Sequence, residues 1–225
     1  MSSCLIFTLI VKAWAQAPAP GGLEPKISPA AYEAWYRAAT LSLAANYMGR
    51  SFAARGKDET GRTQLHEAGD FVVIEVALFP GKSFDGPVSA SDFRLRFDSR
   101  TERMAESPGL VAYALRNRES DPQRRRWIVG GGAGNAGVVL GAPRLEEQFP
   151  GDPRPGQQRA PASAQVREAE QRRGDAAIES SLVEGHLAGP RAGNLFFFFD
   201  GKMTKVKSLV LVYESATGKH ELKLR

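Results

Sequence analysis

Thiols are almost absent from this chain: Cys4 is the one cysteine in 225 residues, and it sits in an apolar run near the start. A disulfide framework is therefore excluded, as is a zinc-thiolate site. If that run is removed, a cysteine nucleophile goes with it. Histidine is scarce too. His66, His186 and His220 lie far apart and share no motif, so neither an H-E-x-x-H helix nor a metal-ligand spacing is present. The sequence implies no metal and no cofactor. Long hydrophobic runs are also missing, and residues 4–11, CLIFTLIV, make only eight. A helix of that length falls short of a hydrocarbon core of ~30 Å.

After that run comes a small-residue stretch with Ala15-Gln16-Ala17, an A-x-A cleavage pattern, and then Pro18-Ala19-Pro20-Gly21-Gly22. This reads as a signal peptide over residues 1–17, with export to the periplasm or the extracellular space after a cut near Ala17. The mature chain then holds no membrane span. A formal charge of +5 would permit an anionic partner, but the basic residues are dispersed among 25 acids. The dense cluster Arg124-Arg125-Arg126 stands near Asp121. Such dispersal reads as solvation, and no nucleic-acid stripe is present.

Residues 29–39 place Tyr32, Trp35, Tyr36 and Ala39 at i, i+3, i+4 and i+7. That spacing predicts a short amphipathic helix with Ser28 as N-cap and Pro29 at its first position. Thereafter the period becomes two. Leu41, Leu43, Ala45 and Tyr47 alternate with polar or small residues as a half-buried strand. FVVIEVALF (71–79) suits a central strand covered on both faces and stopped by Pro80-Gly81. DFRLRF (92–97) points Phe93, Leu95 and Phe97 inward. NLFFFFD (194–200) and SLVLVYE (208–214) are further strands, and Thr217-Gly218 turns the last into a closing hairpin.

Between the strand groups, residues 108–117 read as a short helix or turn, 130–141 as a glycine loop and 148–158 as a Pro-Gly loop. Residues 163–187 read as helix, split at Gly174-Asp175, with an apolar stripe of Ile178, Leu182, Val183 and Leu187. The order predicts a short N-terminal extension and helix over 18–40. A mainly β, antiparallel β-sandwich comes next over 41–225, with a loop-and-helix insertion at about 108–190.

Catalytic motifs fail on inspection. Gly132-Ala133-Gly134-Asn135-Ala136-Gly137 spells G-x-G-x-x-G, yet only a few residues separate Gly137 from Pro143 and no βαβ unit comes after it. Gly81-Lys82-Ser83-Phe84-Asp85 lacks the second glycine of a nucleophile elbow. The sequence singles out no catalytic residue. Phe196, Phe197, Phe198 and Phe199 must alternate across a strand, so both faces need cover. Either the strand lies between the sandwich core and the inserted helix, or one face is bare. In that second case these four phenylalanines, with Trp35 and Tyr36, form a candidate partner surface.

FVVIEVALFP followed by DFRLRF, the helical stretch at 107–115, the glycine loop, the charged helix and GNLFFFFDGKMTKVKSLVLVYESATGKHELKL together resemble a group of uncharacterised exported bacterial proteins. These have an immunoglobulin-like sandwich, and the layout is also similar to telokin-like domains of bacterial envelopes. The resemblance spans residues 41–224 and implies an immunoglobulin-like fold outside the cytoplasm, without implying an activity. The expectation is a non-catalytic binding or structural module that contacts another envelope protein. The alternative is a secreted hydrolase whose site is assembled from dispersed histidines and acids.

Overall fold

The computed structural model describes residues 21–55, 63–98, 100–117, 164–215 and 218–225. Strands β1 (Ala34–Tyr36), β2 (Leu41–Gly49), β3 (Ser51–Ala53), β4 (Leu65–Glu67), β5 (Phe71–Pro80), β6 (Pro87–Val88), β7 (Phe93–Phe97) and β8 (Thr101–Met104) precede helix α1 (Pro108–Arg116). Helix α2 (Ala164–Ser180) is followed by β9 (Gly185–His186), β10 (Arg191–Phe198), β11 (Leu209–Ser215) and β12 (Gly218–Lys223). The protein is mainly β, with antiparallel sheets and, among the described residues, two α-helices. No helix there is long and apolar enough to cross a membrane.

Sheet one runs β1-β2-β5-β10 and sheet two β12-β11-β7-β8, while β3-β4 and β6-β9 are two-stranded. The principal core is filled from both four-stranded sheets. Leu43, Ile74, Val76, Leu78 and Phe197 of sheet one meet Phe93, Leu95, Leu209, Leu211 and Tyr213 of sheet two. Period-two alternation decides who enters this core. In β7 the phenylalanines and Leu95 are buried while Arg94 and Arg96 face out, where Arg96 bonds both Glu102 and Glu221.

The opposite face of sheet one is covered too, in three zones that β5 displays in order. Phe71 and Val73 pack with Phe196 beneath α1 and α2, joined by Phe52. Glu75 is next, flanked in register by Asn46 and Asn194. Asn46 donates to Glu75 at 2.9 Å and accepts the Glu33 amide at 2.9 Å. Last comes Ala77, flanked by Ala44 and Ala192, and Tyr32 lies over these alanines. FVVIEVALF is thus the doubly covered central strand that its composition predicts. The half-buried reading of β2 needs correction, because its second face, Ala44 and Asn46, is buried as well.

Two helical expectations also change. Residues 29–39 do not form a helix: only a single 3-10 turn, Pro29–Ala31, survives, and Ser28 makes no side-chain cap. Ala34, Trp35 and Tyr36 instead pair with Ala45, Ala44 and Leu43, exchanging local propensity for a sheet ladder. Nor is there a break at Gly174-Asp175, where α2 runs straight through. Gly174 is the contact with α1, since a Cβ there would lie 2.4 Å from Arg116 Cγ and 3.0 Å from the Ala112 carbonyl oxygen. Ile178 is exposed, and Leu182 belongs to the principal core beyond the helix end.

In its ladder β10 is an edge strand, not a central one, but its open edge is filled. Ala192 O accepts Leu23 N–H at 2.8 Å, Asn194 O accepts Leu182 N–H at 3.1 Å, and Phe196 O accepts Glu106 N–H at 2.8 Å. Three separate segments thus satisfy alternate carbonyls, as buried backbone requires. Gly193 admits the middle one: a Cβ there would stand 2.4 Å from Leu182 Cα.

Candidate functional site

Edge strand β1 projects alternate side chains to the two faces of sheet one. Trp35, opposite Ala44, stands on the outer face at 47% exposure, with the Arg37 guanidinium 5.6 Å from its ring centroid. Tyr36, opposite Leu43, turns inward yet keeps 40% exposure. Its ring stacks on His220 of β12 at 4.6 Å, and His220 in turn lies parallel to Tyr213 at 6.4 Å. This run of rings joins the margin of sheet one to sheet two and fixes the direction of β1. Burial pushes the Tyr213 hydroxyl pKa upward.

Near the same end of sheet one, the loop after β5 and the loop before β10 enclose a cleft of about 560 Å³. Pro80, Phe84 and Leu187 supply apolar surface, and Asp85 and His186 stand among the polar residues that line it. The two loops are tied together by the β6–β9 pair. Glu184 accepts from Ser89 Oγ and Ala90 N, both at 2.8 Å, and Arg191 donates to the carbonyls of Val183 and His186 at 2.8 and 2.9 Å. Gly81 is obligatory at the turn, since a Cβ would fall 2.0 Å from Ala39 O.

His186 Nδ1 and Asp85 Oδ1 are 3.9 Å apart, beyond hydrogen-bond distance, with side chains 77% and 99% exposed. The pair can attract weakly across water but does not orient the imidazole for proton transfer. His66 lies elsewhere, tilted on Phe52 at 5.4 Å, where burial and then the charge of Arg173 hold its pKa below the usual imidazole range. The three histidines are thus in three different surroundings. The loop from Gly81 leads into β6, not into a helix. Among the described residues no group of three or more His, Cys, Asp or Glu could hold a metal ion.

Of the residues singled out as a partner surface, only Trp35 and Tyr36 offer much area. Phe196 and Phe197 are 1% and 0% exposed. Phe196 meets Phe52 and Phe71 edge-on, Phe198 meets Phe71, and Phe199 stacks on Phe97 at 4.4 Å. The four-phenylalanine run is therefore packing between core and helices, and a bare aromatic face is not found. The cleft was missed in the sequence, although both its loops carry a Gly-Pro pair, Gly86-Pro87 and Gly189-Pro190, that marks paired turns. The stretch read as a signal peptide and the glycine motif at 132–137 lie outside the described residues. No protein-family model, curated protein or solved structure matches the chain.

Proposed function

We propose that this chain is a non-catalytic, exported binding module of immunoglobulin-like sandwich type that contacts another envelope protein through edge strand β1. The observation that carries the reading is the pair of half-exposed aromatic rings, Trp35 and Tyr36, on a strand held in place by the His220 stack. Large rigid aromatics with a neighbouring arginine are the residues that dominate protein interfaces. Two four-stranded antiparallel sheets around a shared core support the sandwich. The A-x-A pattern after residues 4–11 supports export.

A photo-crosslinker placed at Arg37 of the native protein should capture one discrete envelope protein, and Trp35→Ala should abolish that product while leaving the fold intact. Crosslinking unchanged by Trp35→Ala would remove the site. N-terminal sequencing should find Pro18 on the exported protein, and Ala17→Phe should leave a longer, membrane-held precursor. An intact Met1 on soluble cytoplasmic material would overturn export. The hydrolase reading draws on one observation, His186 facing Asp85 at the cleft. Turnover on a hydrolase panel that disappears in His186→Ala would favour it over binding.

A further inference from the structure

The outer face of sheet one already holds an extended segment at the end nearest Trp35. Residues 21–32 cross it as a strap anchored at its two ends. At one end Gly22 N–H donates to Glu179 O and Leu23 N–H to Ala192 O, both at 2.8 Å. At the other end Tyr32, 5% exposed, lies over Ala44, Ala77 and Ala192, each 0% exposed. Between these anchors the strap is loosely held. Glu24 and Lys26 are exposed, and Ile27 is wholly so at 103%.

The polar contacts of Lys26 are internal to the strap. Its amide donates to the Tyr32 hydroxyl, and its ammonium bonds Ala31 O and sits 4.5 Å from the Tyr32 ring centroid. The strap can therefore swing away from Glu33, which stays clamped by Asn46, without breaking them. Its departure would uncover a row of three alanines rimmed by Trp35, with the Ala192 carbonyl left unbonded at the far end.

We infer that the strap is a built-in occupant of the partner's groove. On this view the partner protein inserts an extended segment, pairs its backbone with Ala192, lays an aromatic ring on the alanines beside Trp35, and displaces residues 21–32. This rests on the reading of Trp35 as part of the binding surface. Strand addition at a sheet margin supplies backbone bonds for affinity and a small-residue trough for the choice of side chain. A self-occupied groove binds an outsider more weakly by the fraction of time it stands open.

Hydrogen exchange on the full chain tests the hinge, and a fluorescent peptide with the sequence of residues 21–33 tests the groove. The Leu23 amide should exchange at least roughly a hundredfold faster than the β5 amides, as local opening requires. The peptide should bind Tyr32→Ala at least about tenfold more tightly than the wild type, because the competing strap is weakened. Gly22→Ala serves as a second variant that loosens the other anchor, since its Cβ would meet Ala192 O at 2.7 Å. Adding Ala77→Leu to either variant should abolish peptide binding by filling the trough. Leu23 exchanging in step with β5, or peptide affinity equal in all chains, would overturn the strap as a lid. Should Trp35→Ala abolish partner crosslinking while Tyr32→Ala and Gly22→Ala leave it unchanged, the binding surface stands and the lid falls. Indifference of the partner to all three variants would remove both.

Discussion

Arg50 shows how much one side chain can hold. It comes directly after Gly49, where the β2 backbone turns left-handed at φ +69°, and it reaches across to Gly69, which is also left-handed at φ +64°. Its guanidinium donates to the carbonyls of Gly69, Phe199 and Gly201 at 3.0, 2.9 and 2.7 Å and faces Asp70 at 3.5 Å. The bend of the β2–β5 hairpin is thereby fastened to the chain leaving β10. Arg50→Ala should lower unfolding stability by about 2 kcal/mol, since a charged donor is lost to carbonyls that are part-buried. Arg50→Lys should recover only part of this, because an ammonium lacks the planar fork. Denaturant titration of the three proteins checks the order.

His66 gives the protein an acid-side dependence whose sign is fixed by its surroundings. Its folded pKa lies below the usual value, chiefly through burial and then through Arg173. The unfolded chain therefore takes up a proton near pH ~6.5 while the folded one does not. The stabilisation is complete above that pH and is lost as pH falls from there toward the folded pKa. Melting temperature should drop between pH 7 and 5, and His66→Phe, which keeps a ring against Phe52, should flatten that drop. An unchanged slope in the variant would show that other groups set it.

At the scale of elements, glycine sets how closely two backbones can approach. Gly193→Ala would drive a methyl group into Leu182 Cα and N, at 2.4 and 2.5 Å, both of them backbone atoms that cannot rotate away. The expected loss is about 3 kcal/mol, at the upper end for an overpacked site. It should come with faster exchange of the Leu182 amide that bonds Asn194 O. Calorimetry and amide exchange together separate this from a general loss of stability.

The same element scale shows what the sequence could reveal. β5 and β7 were legible because their burial is written in their own residues, continuous in one and alternating in the other. β1 was not, since the spacing of Tyr32, Trp35 and Tyr36 fits a helix face and its strand register depends on Leu43, Ala44 and Ala45. Gly174 carries the signature of a helix break but serves a helix crossing that only the three-dimensional neighbour Arg116 explains. Trp35 and Tyr36 could be named as surface candidates. The stack of Tyr36 on His220 could not, because it joins residues from opposite ends of the chain.

For the molecule as a whole, β5 and β10 belong to two cores at once. Ile74 and Phe197 face the principal core, while Val73 and Phe196 face the helices. Neither core can dissolve without stripping one side of both strands. Leu211→Ala in the first and Leu115→Ala in the second should each cost about 3 kcal/mol. Each should shift one common transition, read identically by far-ultraviolet circular dichroism and aromatic fluorescence. A biphasic melt in Leu115→Ala would show the helices to be a separate unit.

The covered edge of β10 bears on how the chain is made. Leu23, Glu106 and Leu182, which donate to its three carbonyls, all precede it in sequence, as does its ladder partner β5. A ribosome therefore delivers every segment that covers this margin before Leu195-Phe196-Phe197-Phe198 emerges. A stretch so apolar would be an aggregation hazard if it had to wait with one margin open. Here the most adhesive strand comes after the groups that close it, and it need not wait for anything downstream to shield that margin.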